Sequence, residues 1–222
     1  MIKKYIAIIC FFTGHHIYAE ATFKIPDSLS TKDYDYLYDR IEDHSKNGVI
    51  QSVYLKTYLK KAQLEENWEE IVNGYKNYLY HSSKDLMLIY VDSMIYTANM
   101  SKVDALIGAA YLTKGAVYYN RKNHIQALDN YLIANEYIVK TDDDYQKYKV
   151  QYTIAHIKYY LGFYDEAVTL FEECLNYFKK ENTRAYLNTI HSLALCYNRI
   201  GDFGFSLEMI DFGYAEGKRL SN

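Results

Sequence analysis

The chain has 222 residues, half of them hydrophobic, which is enough apolar material to bury a core and argues against a disordered chain. One proline and ten glycines are too few for an all-β protein cornered by tight turns, so helix is the favoured element. A formal charge of -3 and a pI near 6.2 provide no basic field for nucleic acid, so no nucleic-acid partner is expected of this chain alone. The 27 tyrosines suit packed surfaces on which the ring is covered and the hydroxyl stays wet. Neither a Cys-x-x-Cys pair nor a Gly-Lys-Ser/Thr loop is present, so no metal, no cofactor and no catalytic residue is expected.

At the N-terminus Lys3 and Lys4 precede an apolar stretch from Tyr5 to Phe12, and Ala19-Glu20-Ala21 offers a small-x-small cleavage pattern. Residues 1–21 therefore read as a signal peptide, cut after Ala19 or Ala21, that exports the chain to the periplasm. The apolar stretch is about half of the ~20 residues a membrane span requires, so no span is expected in the mature chain. Cys10 follows Ile9 and does not resemble a lipoprotein attachment cysteine. The mature chain keeps Cys174 and Cys196, which read either as small buried packing residues or as a bridge in an oxidising compartment.

Residues 22–67 read as an N-terminal helical hairpin or cap, with the hairpin from Ser30 to Asn67. Glu65, Glu66, Glu69 and Glu70 surround Trp68 at an expected exposed helix junction, with no third partner for acid–base work. From residue 68 a recurrence sets in. Met87, Ala127, Ala167 and Ser206 stand 40, 40 and 39 residues apart, each followed by an aliphatic residue. Val91, Tyr131, Phe171 and Ile210 come four positions later, then Met94, Ala134, Cys174 and Gly213. Offsets of one, four and seven put these side chains on one helical stripe, with small residues where a neighbour comes close. Twelve residues ahead of the first set lie Tyr75, Gly115, Ala155 and Ala194, on a partner helix, and turn-like segments such as 161–165 and 200–203 separate the two. Each unit is a helix hairpin, and the units read as 68–107, 108–147, 148–186 and 187–218. Asp142, Asp143 and Asp144 read as a solvated loop between units that supplies an N-cap.

Leu161-Gly162-Phe163-Tyr164-Asp165-Glu166-Ala167 resembles the turn of the tetratricopeptide repeat (TPR) into its second helix, and Leu193-Ala194 with Tyr197 resembles its first helix. The resemblance implies an all-α, right-handed solenoid of antiparallel helix hairpins. The period here is longer than the family's usual value of about 34, the closing proline is missing, and other helical solenoids share the small-residue signature. It further implies that the first helices line a concave peptide-binding groove. Carried across by register, that groove takes Lys76 and Tyr80, then Tyr119 and Asn120, then Lys149, Tyr152, His156, Tyr159 and Tyr160, then Asn188, His191, Asn198 and Arg199. An aromatic, mildly basic lining suits a protein or peptide partner with aromatic or acidic groups, although the same tyrosines also suit packing against the next helix. The family's carboxylate clamp is not matched, since its positions hold Val72, Leu112, Tyr152 and His191, then Lys76, Ala116, His156 and Leu195. His156 and His191 fall in successive first helices without a carboxylate or cysteine at ligand spacing.

The segment from Tyr90 through Ser93 to Ile95 and the tyrosine-rich hairpins are similar to the periplasmic TPR sensor region of bacterial AraC-type transcriptional regulators. That resemblance implies a non-catalytic peptide-binding module, the sensor portion of a regulator, with a structural envelope assembly scaffold as the alternative. The last unit ends near Lys218 without a solvating helix, so the C-terminal hairpin is expected to self-associate or to belong to a longer parent.

Overall fold

Apolar residues spaced three and four apart, with capping residues between the runs, produce a chain in which all eleven elements among the described residues are α-helices. The computed structural model describes residues 23–220, so the signal-peptide reading of 1–21 and Cys10 lie outside the described residues. Contacts divide the chain into two units, one reaching to Asn77 and one starting at Tyr78.

The first unit holds α1 (Asp27–Ser30), α2 (Tyr34–Asp43), α3 (Gly48–Leu64) and most of α4 (Trp68–Tyr80). Asp33 and Asn47 cap α2 and α3 by accepting from the amides of Tyr36 at 2.8 Å and Ile50 at 3.3 Å. Leu37 and Ile41 of α2 are wholly covered, and Gln51 of α3 donates to the Ile41 carbonyl at 3.0 Å, so the hairpin closes on an apolar seam with its buried amide satisfied. Two glutamates of the acidic cluster have structural partners: Glu65 accepts from the Tyr34 hydroxyl at 2.5 Å, and Glu70 accepts from that of Tyr58. Burial, reinforced by Glu70, pushes the Tyr58 phenol well up, so it stays a donor.

The second unit continues with α5 (Met87–Ser101), α6 (Asp104–Asn120), α7 (His124–Ile138), α8 (Asp144–Leu161), α9 (Tyr164–Glu181), α10 (Thr183–Ile200) and α11 (Phe203–Leu220). Three hairpins, α6/α7, α8/α9 and α10/α11, pack in chain order, with α7 and α9 also touching the first helix of the next hairpin. Their turns share one device. Lys122, Gly162 and Gly201, at equivalent places, are all left-handed, with φ of 59°, 89° and 94°. Asn123 and Asp202 accept from Gln126 and Phe205 amides to start second helices. Asp143 and Asn182 accept from Gln146 and Ala185 amides, at 3.0 and 2.9 Å, to start first helices. The first helices begin at 104, 144 and 183, four residues ahead of 108, 148 and 187, because a sequence recurrence fixes a period and the caps fix the phase.

The recurrent stripe forms the core. Ala127, Tyr131 and Ala134 pack with Val150, Ile154 and Ile157 of the following hairpin. Phe171 and Ala167 pack with Ala155 of their own hairpin and with Leu193 and Cys196 of the next, and complete burial of a phenylalanine contributes about 1.5–3 kcal/mol. Cys174 and Cys196 are free and buried, and burial pushes their thiols up to about 12 and about 11, so both act as compact packing residues. The fourth occurrence of the stripe differs. Ile210 is 53% exposed where its counterparts Tyr131 and Phe171 are 3% and 0% exposed, since no helix among the described residues follows α11 to cover it.

Helices approach closely at Gly115, where a Cβ would run into the buried ring of Tyr131. Gly115→Ala is therefore expected to destabilise by about 1–3 kcal/mol in urea unfolding. Gly217→Ala, also in a helix and with open space around the added carbon, is expected to gain about 0.5–1 kcal/mol. Equal effects at the two sites would refute the close approach.

Candidate binding face of the first helices

Stacking brings successive first helices side by side, and their side chains meet at steps of 40 or 41 residues, one position beyond strict equivalence. Tyr119 of α6 donates to the Tyr160 hydroxyl of α8 at 3.5 Å. Tyr152 of α8 meets Ser192 of α10 at 3.4 Å, and Arg199 of α10 donates from Nε to the Tyr159 hydroxyl at 3.3 Å. Eleven of the thirteen residues placed by register, from Tyr119 to Arg199, fall on α6, α8 and α10, and five of them, Tyr119, Tyr152, Tyr159, Tyr160 and Arg199, take part in these contacts. Tyr80 is an exposed residue in the last turn of α4, and Lys76 is exposed in the other unit.

The face has a polar, half-buried middle and an aromatic end. In the middle, His156 Nε2 lies 2.9 Å from the Tyr152 hydroxyl and 3.3 Å from Ser192 Oγ, while Ser192 also donates to the Asn188 carbonyl at 2.9 Å. Burial, with a smaller push from His191, holds the His156 imidazole below its ordinary range. Burial raises the Tyr152 phenol, and its bond with Ser192 opposes that rise. At the other end, Tyr160 stacks on His124 with ring centres 5.0 Å apart and lies 5.9 Å from Tyr119. Tyr159 meets Tyr160 and Tyr164 edge-on, both at 5.6 Å. The hydrogen bond with Tyr160, then burial, pushes the Tyr119 phenol up to about 12. Tyr160 remains 50% exposed, while Asn120, Lys149, Asn188, His191, Asn198 and Arg199 are open to solvent.

Sequence register missed three members of this cluster. Ser192 sits beside His191 and, in place of it, bonds His156. His124 and Tyr164 open second helices, and the short hairpin turns fold them back beside Tyr160 and Tyr159. No stripe periodicity marks residues that reach a face from the turn. On another side of α8 a cleft of about 490 Å³ is lined by Leu132, Val139, Ile154 and Leu170, and its rim charges are satisfied: Lys147 pairs with Asp144 at 3.0 Å, Lys158 pairs with Glu166, and Gln151 donates to Glu173. Among the described residues, none cluster as three or more histidine, cysteine or carboxylate groups able to hold a metal, and no helix is long and apolar enough to cross a membrane.

No protein-family model matches the chain, and no curated relative matches it either. Solved structures do share its architecture. The repeats of a Podosopora anserina putative kinesin light chain, described as nearly identical TPR-like repeats, superpose with a TM-score of 0.61 at 13% identity, covering 86% of this chain and 99% of that one. The fold is that of TPR-like repeat proteins. MamA superposes with a TM-score of 0.59 at 12% identity over 87% of this chain and 95% of its own. BtubC (BKLC) from P. vanneervenii gives 0.58 at 11% identity over 88% and 94%.

The middle of the TPR-like face generates a pH prediction. A histidine held below its unfolded-state value of about 6.5 binds fewer protons when folded. Its contribution to stability is complete above that pH and declines as pH falls through it. Between about pH 7.5 and about 5.5 the urea midpoint of the wild type is expected to fall more steeply than that of His156→Gln. Superimposable pH profiles would remove His156 from this role.

Proposed function

We propose that this chain is a non-catalytic, TPR-like protein- and peptide-binding module, exported to the periplasm, where it forms the sensor portion of a transcriptional regulator. The observation that carries the binding reading is the aromatic run of exposed Tyr119 and Tyr160 with half-buried Tyr159, joined across neighbouring first helices and anchored to Arg199. Exposed aromatic groups held in place by their neighbours give a partner large contact area with little ordering cost. Export rests on the charged and apolar pattern of Lys3 to Phe12 and on Ala19-Glu20-Ala21, and the sensor role rests on the resemblance of the tyrosine-rich hairpins to AraC-type sensor regions.

Peptides enriched from a random display library on the purified protein are expected to bind Tyr160→Ala at least about tenfold more weakly. Undiminished binding to that variant would place recognition elsewhere. Fusion of residues 1–30 to a reporter active only outside the cytoplasm checks export, and an inactive, cytoplasmic reporter would end the periplasmic reading.

A second reading concerns α11, which exposes Phe203, Leu207, Ile210 and Tyr214 at helical spacing. The counterparts of Ile210 in α7 and α9 are covered by the next first helix. We infer that a second copy covers this stripe in solution. Light scattering is expected to show a dimer that Leu207→Glu/Ile210→Glu converts to a monomer; a wild-type monomer at high concentration would sink the idea.

A further inference from the structure

The five face positions of each first helix in the second unit can be read off in register. They are Ala109, Leu112, Ala116, Tyr119 and Asn120 on α6; Lys149, Tyr152, His156, Tyr159 and Tyr160 on α8; and Asn188, His191, Leu195, Asn198 and Arg199 on α10. None of these three sets of five contains a carboxylate, although the chain as a whole has 28 acidic residues against 25 lysines and arginines. The acids gather on the second helices instead: α9 alone carries Asp165, Glu166, Glu172, Glu173 and Glu181. Cations elsewhere on α6 and α8 are neutralised, Lys114 by Asp92 at 2.8 Å, Lys147 by Asp144 and Lys158 by Glu166. Those on the face are not. Lys149 is exposed with no ion-pair partner among the described residues, and Arg199 spends one donor on the Tyr159 hydroxyl and faces no carboxylate.

An acid-free surface on an acidic protein, with uncompensated cations beside exposed aromatic rings, selects by charge as well as by contact. Approach of a negative segment is favoured, while a positive one meets repulsion from Lys149 and Arg199 and finds no acid among these positions to pair with. Tyr160, stacked on His124 and half exposed, provides a ring face and edge for an aromatic or aliphatic side chain of the partner. Arg199 is held in position by Tyr159, so its remaining guanidinium donors can take a partner's carboxylate with little further loss of freedom.

We propose that the first-helix face of α6, α8 and α10 takes an acidic polypeptide segment interleaved with aromatic residues, with carboxylates on Lys149 and Arg199 and rings against Tyr119, Tyr159 and Tyr160. This rests on the reading of that face as peptide-binding and supplies the class of peptide. A single-stranded nucleic acid offers anions and rings as well. Two uncompensated cations on a chain of net charge -3 are too few to track a phosphate backbone, and the polypeptide is the occupant that fits.

The test uses fluorescence anisotropy with the purified full chain and labelled alternating peptides of glutamate with tyrosine, glutamine with tyrosine, and lysine with tyrosine, beside an oligothymidylate. The glutamate peptide is expected to bind at least about tenfold more tightly than the glutamine peptide, and high salt or Lys149→Gln/Arg199→Gln should abolish that preference. Tyr160→Ala should weaken the glutamate and glutamine peptides alike. If the glutamine peptide binds as well as the glutamate peptide and still depends on Tyr160, the acidic class is wrong while the peptide-binding face stands. If no peptide binds, or none responds to Tyr160→Ala, the peptide-binding reading fails with it. Tighter binding of the oligothymidylate than of the glutamate peptide would overturn the proposal in favour of nucleic acid.

Discussion

Phe171 cannot be covered by one neighbour. Its ring, fully withdrawn from water, needs Ala155 from the hairpin it belongs to and Leu193 with Cys196 from the hairpin that follows. The same holds for Tyr131, which sits between Gly115 and the α8 residues Ile154 and Ile157. A second helix with an apolar stripe on two sides forces the next first helix against it, and only small residues such as Ala155 and Gly115 permit the approach. Everything that distinguishes the second unit follows from this two-sided cover, including the even placement of its first helices.

The binding face is a by-product of that core. Once α6, α8 and α10 are set side by side, residues forty apart in sequence come into contact, as Tyr159 and Arg199 do. The half-buried trio of Tyr152, His156 and Ser192 then satisfies polar groups that would otherwise be costly to cover. It also pins α8 to α10 next to the exposed rings, so the aromatic surface is rigid before any partner arrives, which lowers the ordering cost of binding. The acidic residues displaced to α9 serve the outer side, where Glu166 and Glu173 engage Lys158 and Gln151.

Much of this was legible because the stripe is periodic. Ala127, Tyr131 and Ala134, then Ala167, Phe171 and Cys174, are buried where helical spacing puts them. The phase was less legible, since Asp143 and Asn182 decide where helices start and a recurrence is silent about caps. Ile210 shares its counterparts' sequence pattern and lacks their burial, because burial depends on the next element and not on the residue. Ser192 and His124 escaped notice for a related reason: one is brought in by its neighbour's orientation, the other by a turn of three residues. Glu65 and Glu70 looked like a surface acidic cluster, yet tyrosine hydroxyls from α2 and α3 claim them, a long-range pairing that no local pattern encodes.

The turns with left-handed residues at Lys122, Gly162 and Gly201 repeat the same corner at intervals of 40 and 39 residues. Duplication or loss of one complete corner-to-corner module would leave every surviving helix with a neighbour of the kind it already has. Insertion of a single residue inside a helix would instead swing the rest of its stripe through about 100°, carrying buried rings into water. The architecture therefore tolerates a change of length by whole modules and resists slippage within one.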